Sequence, residues 1–346
     1  MGLAMNLNGK TTLRDVARST GVSEQTVSNV INGKPVVKED TRLMVLEACD
    51  RLGYRANALA RSLKTSQSSL IALVMPSVTN SKYPEIAETV AKVATQKGYS
   101  INVAISDRDP DRELQLIGEM LDHRVAGILL STSDPEGRSQ AIAARYGVPC
   151  IEIMNRGPLN SQDFVGADNR IGAKMAVDHL IGLGHRRIGH VRGLNIFTGD
   201  ERALGYSDAL MGQCLPFDPL LTEPGGYSRE GGAAALRALL SRAPDMTAVF
   251  CSSDLMAYGV LDAAGQCGRR VPETLSVAGF DNMAFSSLAP IGLTSVGYDS
   301  LVLATYAVEH LITCIANRGA PAQSHLKVVP CSLVVRSSTI AQSYEV

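Results

Sequence analysis

From residue 70 onward, short β-rich apolar runs alternate with amphipathic helical stretches, and this alternation constrains the fold more than any other feature of the sequence. Such a pattern predicts parallel sheets that are covered by helices on both faces. The expected fold class of residues 66–340 is therefore α/β. The predicted strands are 70–75, 100–105, 126–131, 149–154, 187–192, 247–252, 275–280 and 293–298.

The composition excludes several classes of protein. With 346 residues and 45% hydrophobic content, the chain can bury a large core. No apolar run approaches the roughly 20 residues of a membrane span, and the starting MGLAMNLNGK lacks the apolar segment of a signal peptide, so we expect a cytoplasmic protein. Seven scattered cysteines without a close pair favour buried thiols over a structural zinc or redox site. No cofactor or metal site is predicted.

Charge is distributed unevenly along the chain. The net charge is −1, yet residues 1–65 carry ten Lys and Arg against six Asp and Glu, a balance of +4. The remaining residues carry a balance of −5. A basic head on an acidic body is the electrostatic pattern expected for contact with nucleic-acid phosphates.

Residues 10–56 carry the signals of a small helical head. Thr12 stands three residues before Asp15, which is the spacing of a capping box at a helix start. Gly21 then supplies a turn, and Ser23 is a good cap for a second helix. These signals predict two short helices joined by a tight turn.

The second helix is expected over about 24–32 and a third over about 39–52, with Leu43, Leu46 and Cys49 of the third facing the core. Three short helices with a tight turn between the first two form a helix-turn-helix arrangement. The head is therefore predicted to be a DNA-binding domain, with the second helix as the reading element.

The second helix has two contrasting faces. Val27, Val30 and Ile31 fall together when successive residues are placed about 100° apart. A helix that lies in a major groove needs hydrogen-bonding side chains on its outer face, although a solvated surface helix has the same composition. The opposite arc carries Gln25, Ser28, Asn29 and Asn32.

Three segments resemble the DNA-binding head of the LacI/GalR family of bacterial transcriptional repressors: TLRDVARSTGVSEQTVSNVINGK, the LGY after the third helix, and RANALARSLK. The resemblance extends over essentially the whole chain. Asn29 stands where an arginine is common in the family, and asparagine suits adenine better than guanine. The resemblance implies base contacts from Glu24, Gln25 and Asn29 and contacts to the DNA backbone from Thr12, Thr26, Ser28 and Asn32.

Residues 57–65 are predicted to form a hinge helix that begins at Asn57. Isolated helices shorter than about 12 residues are marginal in water, so this segment needs an outside support. The resemblance implies that two hinge helices enter the minor groove, with Leu63 wedged between base pairs, Ala60 allowing close approach and Lys64 beside the DNA. The alternative is a linker whose Leu63 packs on the body.

The body resembles the periplasmic-binding-protein fold, which implies two α/β subdomains with chain crossings near 160, 285 and 325. Ligands in such sheets lie at the carboxyl ends of the strands. The resemblance implies that Arg202 and Asp281 bind a polyhydroxylated effector, whereas Asp254 is interpreted as a structural helix cap. The other candidates follow strand ends and are Lys82, Tyr83, Met154, Asn155, Phe197, Thr198 and Ser253.

Many sugar-binding relatives carry an aspartate near the position of Met154. Without that acid, and with Lys82 and Arg202 nearby, the site should tolerate an anionic ligand such as a sugar acid or a sugar phosphate, as in a gluconate-responsive regulator. A neutral sugar is the alternative.

The sequence carries none of the common nucleotide-binding, hydrolase or metalloprotease motifs, so an enzyme is not expected. We predict a cytoplasmic, nucleoid-associated repressor of a carbohydrate-utilisation operon that binds a pseudo-palindromic operator as a homodimer. A dimer is expected because the closing AQSYEV lacks a leucine-repeat tail. The rival hypotheses are a solute-binding protein for a sugar transporter and a repressor that senses a protein partner.

Overall fold

A computed structural model describes residues 11–31, 34–54, 68–157, 163–318 and 325–342. The chain divides into two compact units, the first ending at Ser68 and the second beginning at Ser69. Several predicted DNA contacts lie outside the described residues, namely Asn32 and the hinge residues Asn57, Ala60, Leu63 and Lys64.

The first unit contains the three predicted helices: α1 (Leu13–Thr20), α2 (Glu24–Ile31) and α3 (Glu39–Arg51). The predicted capping box is confirmed. Thr12 Oγ1 accepts a hydrogen bond from the Asp15 amide at 3.3 Å, and the Asp15 carboxylate accepts one from the Thr12 amide at 2.9 Å. Gly21 ends α1 with a φ of 69°, a left-handed conformation that glycine adopts without strain.

The core of this unit differs from the prediction in the face of α3 that is buried. Val45 and Ala48 of α3 are buried, whereas Leu43 and Leu46 are 53% and 47% exposed. Residues two positions apart lie about 200° apart around a helix, so a helix that buries Val45 turns Leu43 outward. Cys49 packs against the core as expected.

The second unit is built on two six-stranded sheets. The first sheet has the order β11-β5-β4-β3-β1-β2, and the second has the order β12-β10-β9-β8-β6-β7. All eight predicted strands are present, and the four that were not predicted are β5, β7, β11 and β12. The strands are β1 (Leu70–Met75), β2 (Ser100–Ile105), β3 (Gly127–Leu130), β4 (Cys150–Ile153), β5 (Asp163–Ala167), β6 (Ile188–Arg192), β7 (Thr222–Pro224), β8 (Ala248–Cys251), β9 (Ser276–Phe280), β10 (Thr294–Tyr298), β11 (His325–Val329) and β12 (Cys331–Val334).

Helices cover both sheets, and three short 3-10 turns lie between the longer elements. The helices are α4 (Lys82–Gln96), α5 (Pro110–Asp122), α6 (Arg138–Arg145), α7 (Asn169–Gly182), α8 (Phe197–Gly212), α9 (Arg229–Arg242), α10 (Asp254–Ala264) and α11 (Ser300–Ala316). Every described strand pair is parallel except β10–β12. The predicted parallel sheets are therefore present, with one antiparallel strand, β12, at an edge.

In the structure the chain passes from one subdomain to the other at 168, 299 and 330, and the positions expected from the sequence were near 160, 285 and 325. The three crossings follow β5, β10 and β11. At each of the first two crossings, an aspartate directly follows the strand and caps the next helix. These residues, Asp168 and Asp299, accept hydrogen bonds from the amides of Ile171 and Leu301 respectively.

Apolar side chains from both faces of each sheet form the core, and β1, β3, β8, β9 and β10 are almost completely buried. Across the described ranges, no helix is both long and apolar enough to traverse a bilayer.

Candidate DNA-reading surface and effector pocket

The outer surface of α2 carries the side chains that the sequence analysis assigned to DNA. Ser23 Oγ accepts a hydrogen bond from the Thr26 amide at 3.1 Å, which confirms the predicted cap and fixes the start of the helix. Val27 and Val30 are buried on the inner face. Glu24 and Gln25 are exposed, and Thr26, Ser28 and Asn29 are partly exposed.

Side-chain contacts order this surface. Gln25 Nε2 donates to Asn29 Oδ1 at 3.1 Å, which aligns two amides one turn apart. Arg14 Nε donates to Glu24 Oε1 at 2.9 Å, which reduces the repulsion between Glu24 and DNA phosphates. Amide side chains suit the adenine edge, and a glutamate can accept from cytosine. Such a surface can therefore read base edges in a major groove.

Changing Asn29→Arg is expected to move the preferred base at its position of the operator from adenine to guanine. The guanidinium can donate two hydrogen bonds to guanine O6 and N7, whereas the amide of asparagine matches adenine N6 and N7. Selection of bound sequences from a random DNA pool gives the measurement. Asn29→Ala is the control, which should lose discrimination by about 1–3 kcal/mol at that position only. Unchanged base preference in Asn29→Arg would contradict the assignment.

The second unit holds a pocket of about 90 Å³ at the carboxyl ends of strands from both sheets. This is the position where ligands bind in open α/β sheets. The predicted effector residues that line the pocket are Tyr83, Met154, Asn155, Thr198, Arg202 and Asp281.

Arg202 is the most constrained side chain in the pocket. Its Nε donates to Asn169 Oδ1 at 2.8 Å, one terminal nitrogen donates to the Ser252 carbonyl at 2.6 Å, and the other lies 3.3 Å from Asp281 Oδ1. The guanidinium also lies 3.6 Å from the centre of the Phe280 ring. Burial opposes the charge, but Asp281 and its other neighbours outweigh this effect and raise the pKa of Arg202.

Two amide side chains connect the subdomains at the pocket. Asn80 follows β1 and donates to Asp281 Oδ2 at 3.0 Å, although Asp281 belongs to the second sheet's subdomain. Asn155 follows β4 and accepts from the Thr198 amide of α8 at 3.2 Å. A ligand between these groups would therefore contact both subdomains.

Three predicted effector residues do not line the pocket. Lys82 is 3% exposed, and its Nζ bonds Glu85 at 3.0 Å and lies 4.5 Å from the centre of the Tyr298 ring. Lys82 and Tyr83 are neighbours on a helix, so their side chains diverge by about 100° and only Tyr83 faces the pocket. The Phe197 ring packs edge-to-face on Phe164 at 5.4 Å.

Ser253, the third of these residues, caps α10 by accepting a hydrogen bond from the Met256 amide at 3.4 Å. The sequence analysis gave that cap to Asp254, which was wrong by one residue. Asp254 is nevertheless structural, since it is fully buried and accepts hydrogen bonds from the Met283 amide and the Ser286 hydroxyl.

Several other residues line the pocket without having been predicted from the sequence, and Arg108 matters most among them. Arg108 is partly buried two positions into the turn that follows β2, and it has no hydrogen bond or ion pair with any residue in the described ranges. Its position after a predicted strand end was the available signal. The remaining polar groups missed are Asn80, Ser133, Asn169, Tyr227 and Tyr298.

The three tyrosines of the pocket are neutral hydroxyl donors. Burial raises the pKa of Tyr83 to about 12, and burial also raises the pKa values of Tyr227 and Tyr298. The charged side chains lining the pocket are Arg108, Arg202 and Asp281, which together carry a net charge of +1. Neutral donors beside one unmatched cation can bind a polyhydroxylated ligand with an acidic group.

Residues 12–57 match the family model described as "Bacterial regulatory proteins, lacI family", and residues 177–339 match a periplasmic-binding-protein-like domain. The chain is 35% identical to the HTH-type transcriptional regulator MalR of Streptomyces coelicolor, over 95% of this chain and 96% of that protein.

Solved structures agree over the same length. The lac repressor dimer bound to operator and the anti-inducer ONPF matches with a TM-score of 0.85 and 27% identity, over 96% of this chain and 100% of that one. The transcriptional regulator CelR in complex with cellobiose matches with a TM-score of 0.72 and 31% identity, over 95% of this chain and 100% of that one.

Proposed function

The chain belongs to the LacI family of bacterial regulatory proteins, and from that premise we propose that it represses a carbohydrate-utilisation operon under the control of an acidic sugar. Membership of this family makes the chain a DNA-binding transcriptional regulator rather than an enzyme. The effector would be a sugar acid or a sugar phosphate bound between the two subdomains of the body. Repression would take place on the chromosome in the cytoplasm.

Operator binding requires two heads acting together, since one short helix offers few base contacts. A two-fold dimer would place one α2 in each half of a pseudo-palindromic operator. The hinge residues Asn57, Ala60, Leu63 and Lys64 would complete the complex in the minor groove, with Leu63 wedged between base pairs. The lac repressor dimer bound to operator supports this arrangement by its similarity over 96% of this chain.

The net charge of the side chains that line the pocket is the observation that supports an acidic effector. Arg202 and Asp281 balance each other at 3.3 Å, so they can orient hydroxyl groups without selecting a net charge. Arg108 has no such partner in the described part of the chain. Hydrogen bonds to a charged group contribute about 1.5–3 kcal/mol, so an acid near Arg108 should bind better than its neutral analogue.

The hydrogen bonds between subdomains suggest how the effector would act. Asn80–Asp281 and Asn155–Thr198 join the two halves beside the pocket. A ligand that exchanges these bonds for its own would change the angle between the halves and thereby the spacing of the two hinges in the dimer. By thermodynamic reciprocity, an effector that weakens operator binding must bind the free protein more tightly than the DNA complex.

Isothermal titration with an aldonic acid, its phosphorylated aldose and the neutral aldose of the same carbon skeleton tests the proposal. The wild type should bind one of the acids more tightly than the neutral sugar. Arg108→Gln should weaken that binding by roughly 10–150-fold, the equivalent of one charged hydrogen bond, and leave neutral sugars unchanged. Arg145→Gln is the control, because Arg145 is an exposed cation on α6 outside the pocket.

Tight binding of neutral sugars alone, or acid binding that survives Arg108→Gln, would contradict the acidic effector. The DNA-binding assignment would stand in either case.

A further inference from the structure

A second cluster of chemically reactive side chains lies at the opposite edge of the first sheet from the effector pocket. Asp163 begins β5 and is the direct register partner of His325, which begins β11. α11 packs across both strands and presents His310 and Cys314, which are four residues apart and so share one helix face. Three separate chain segments therefore converge at the amino ends of these strands.

The distances within the cluster are those of a nearly formed metal site. His310 Nε2 lies 2.8 Å from Asp163 Oδ1 and 3.8 Å from Cys314 Sγ, and the three ligand atoms lie within 4.8 Å of one another. Zinc bonds of about 2.0–2.3 Å place neighbouring ligand atoms of a tetrahedron about 3.4–3.6 Å apart. The His310–Asp163 hydrogen bond would need to open by less than about 1 Å to reach that spacing.

We propose that Asp163, His310 and Cys314 bind a zinc ion. A carboxylate oxygen, an imidazole nitrogen and a thiolate form a mixed ligand set that zinc accepts readily. On binding, the Cys314 thiol releases its proton to solvent and zinc replaces the hydrogen bond between His310 and Asp163. Beside the cluster, the exposed His325 ring stacks on the His310 ring with the ring centres 4.3 Å apart.

Burial and access both fit this assignment. The side chains of Asp163 and His310 are 19% and 14% exposed, so the cluster is shielded but still reachable from solvent. Within the described ranges, no other group of three such residues lies close enough to share an ion.

A bound zinc would fasten α11 to the start of β5. Because zinc would bind the folded protein and not the separated segments, it should raise the unfolding temperature of the body. This consequence does not depend on the identity of the effector.

The test uses full-length protein stripped of metal with a chelator and then titrated with zinc against a chromophoric zinc indicator. One zinc per chain is expected, with a rise in unfolding temperature at saturation. Cobalt(II) in place of zinc should show thiolate-to-metal charge-transfer absorption. Cys314→Ser should remove that absorption and weaken zinc binding by more than the roughly 10–100-fold typical for loss of an outer-shell partner.

Cys214→Ser is the matched control, because Cys214 is an exposed thiol outside the cluster and its loss should change neither readout. His310→Gln provides a second variant with an uncharged side chain, and it should also lose high-affinity zinc. Wild-type protein that binds no zinc at micromolar concentrations, or Cys314→Ser that binds as tightly as wild type, would overturn the proposal.

Discussion

Arg202→Ala should abolish effector binding and lower the free energy of unfolding of the body by about 3–5 kcal/mol, the usual cost of removing one partner of a buried ion pair. The loss of stability arises because Asp281, which is 4% exposed, loses the guanidinium that lies 3.3 Å from it in the wild type. Asn169 and the Ser252 carbonyl lose their donors as well. Binding is lost because the variant lacks the guanidinium N–H groups that would donate hydrogen bonds to the effector.

Denaturant unfolding and isothermal titration measure the two effects separately. Arg170→Ala is the matched control, since Arg170 pairs with Asp208 at 2.5 Å on the surface and its side chain is 46% exposed. An exposed pair of this kind contributes about 0–1 kcal/mol. Adding Asp281→Asn to Arg202→Ala should recover part of the stability and none of the binding. Equal effects of Arg202→Ala and Arg170→Ala would show that the buried pair has no special role.

Two buried groups should give the unfolding free energy opposite dependences on pH. Burial, with a contribution from Asp281, raises the pKa of Asp254 to about 7 from an ordinary 3.8. His190 is 1% exposed, stacks on Tyr206 at 4.7 Å, and burial lowers its pKa to about 3 from an ordinary 6.5. Both groups are therefore neutral in the folded protein at about pH 5, whereas in the unfolded chain both are charged.

The sign of each pH dependence follows from the number of protons that the group binds in the folded and in the unfolded state. Between pH 4 and 6.5 the folded state holds the Asp254 proton that the unfolded state releases, so this group lowers stability as pH rises. Over the same range the unfolded state protonates His190 while the folded state does not, so this group raises stability as pH rises. Each contributes about 1.4 kcal/mol per pH unit, or about 3 kcal/mol across the window, and the two contributions largely cancel in the wild type.

Replacing one group at a time should reveal how the other group changes the unfolding free energy with pH. Asp254→Asn should make stability rise more steeply between pH 4 and 6.5 than in the wild type, and His190→Gln should make it fall relative to the wild type. Denaturant unfolding at half-unit intervals of pH measures both differences. Variants whose curves run parallel to the wild type would contradict the buried, neutral state of these groups.

The sequence predicted eight strands because each is a continuous apolar run bounded by turn residues, and the interior strands of a helix-covered sheet need such runs. It missed β7, which has three residues, and β11, which begins with the exposed His325 and Leu326. Strands at the edge of a sheet bury fewer side chains, so their sequences carry a weaker signal.

The residues of the pocket likewise differ in how well the sequence predicted them. Arg202 and Asp281, which the family resemblance and their positions after strands both indicated, line the pocket. Lys82 does not line it, because one position along a helix changes the direction of a side chain. Arg108 was missed because its turn became part of the pocket only when β2 and its neighbours were placed in the sheet.

What the sequence determined by itself is local: the capping box at Thr12, the buried face of α2, the alternation of strands and helices, and the motifs that identify the family. These features depend on residues a few positions apart, whose geometry is set by the helix and strand repeats. Tertiary structure alone decided the pairing of Asn80 with Asp281, which are 201 positions apart, and the meeting of Asp163 with His310 across 147 positions. Such contacts depend on how sheets and helices pack, and no local repeat along the chain encodes that packing.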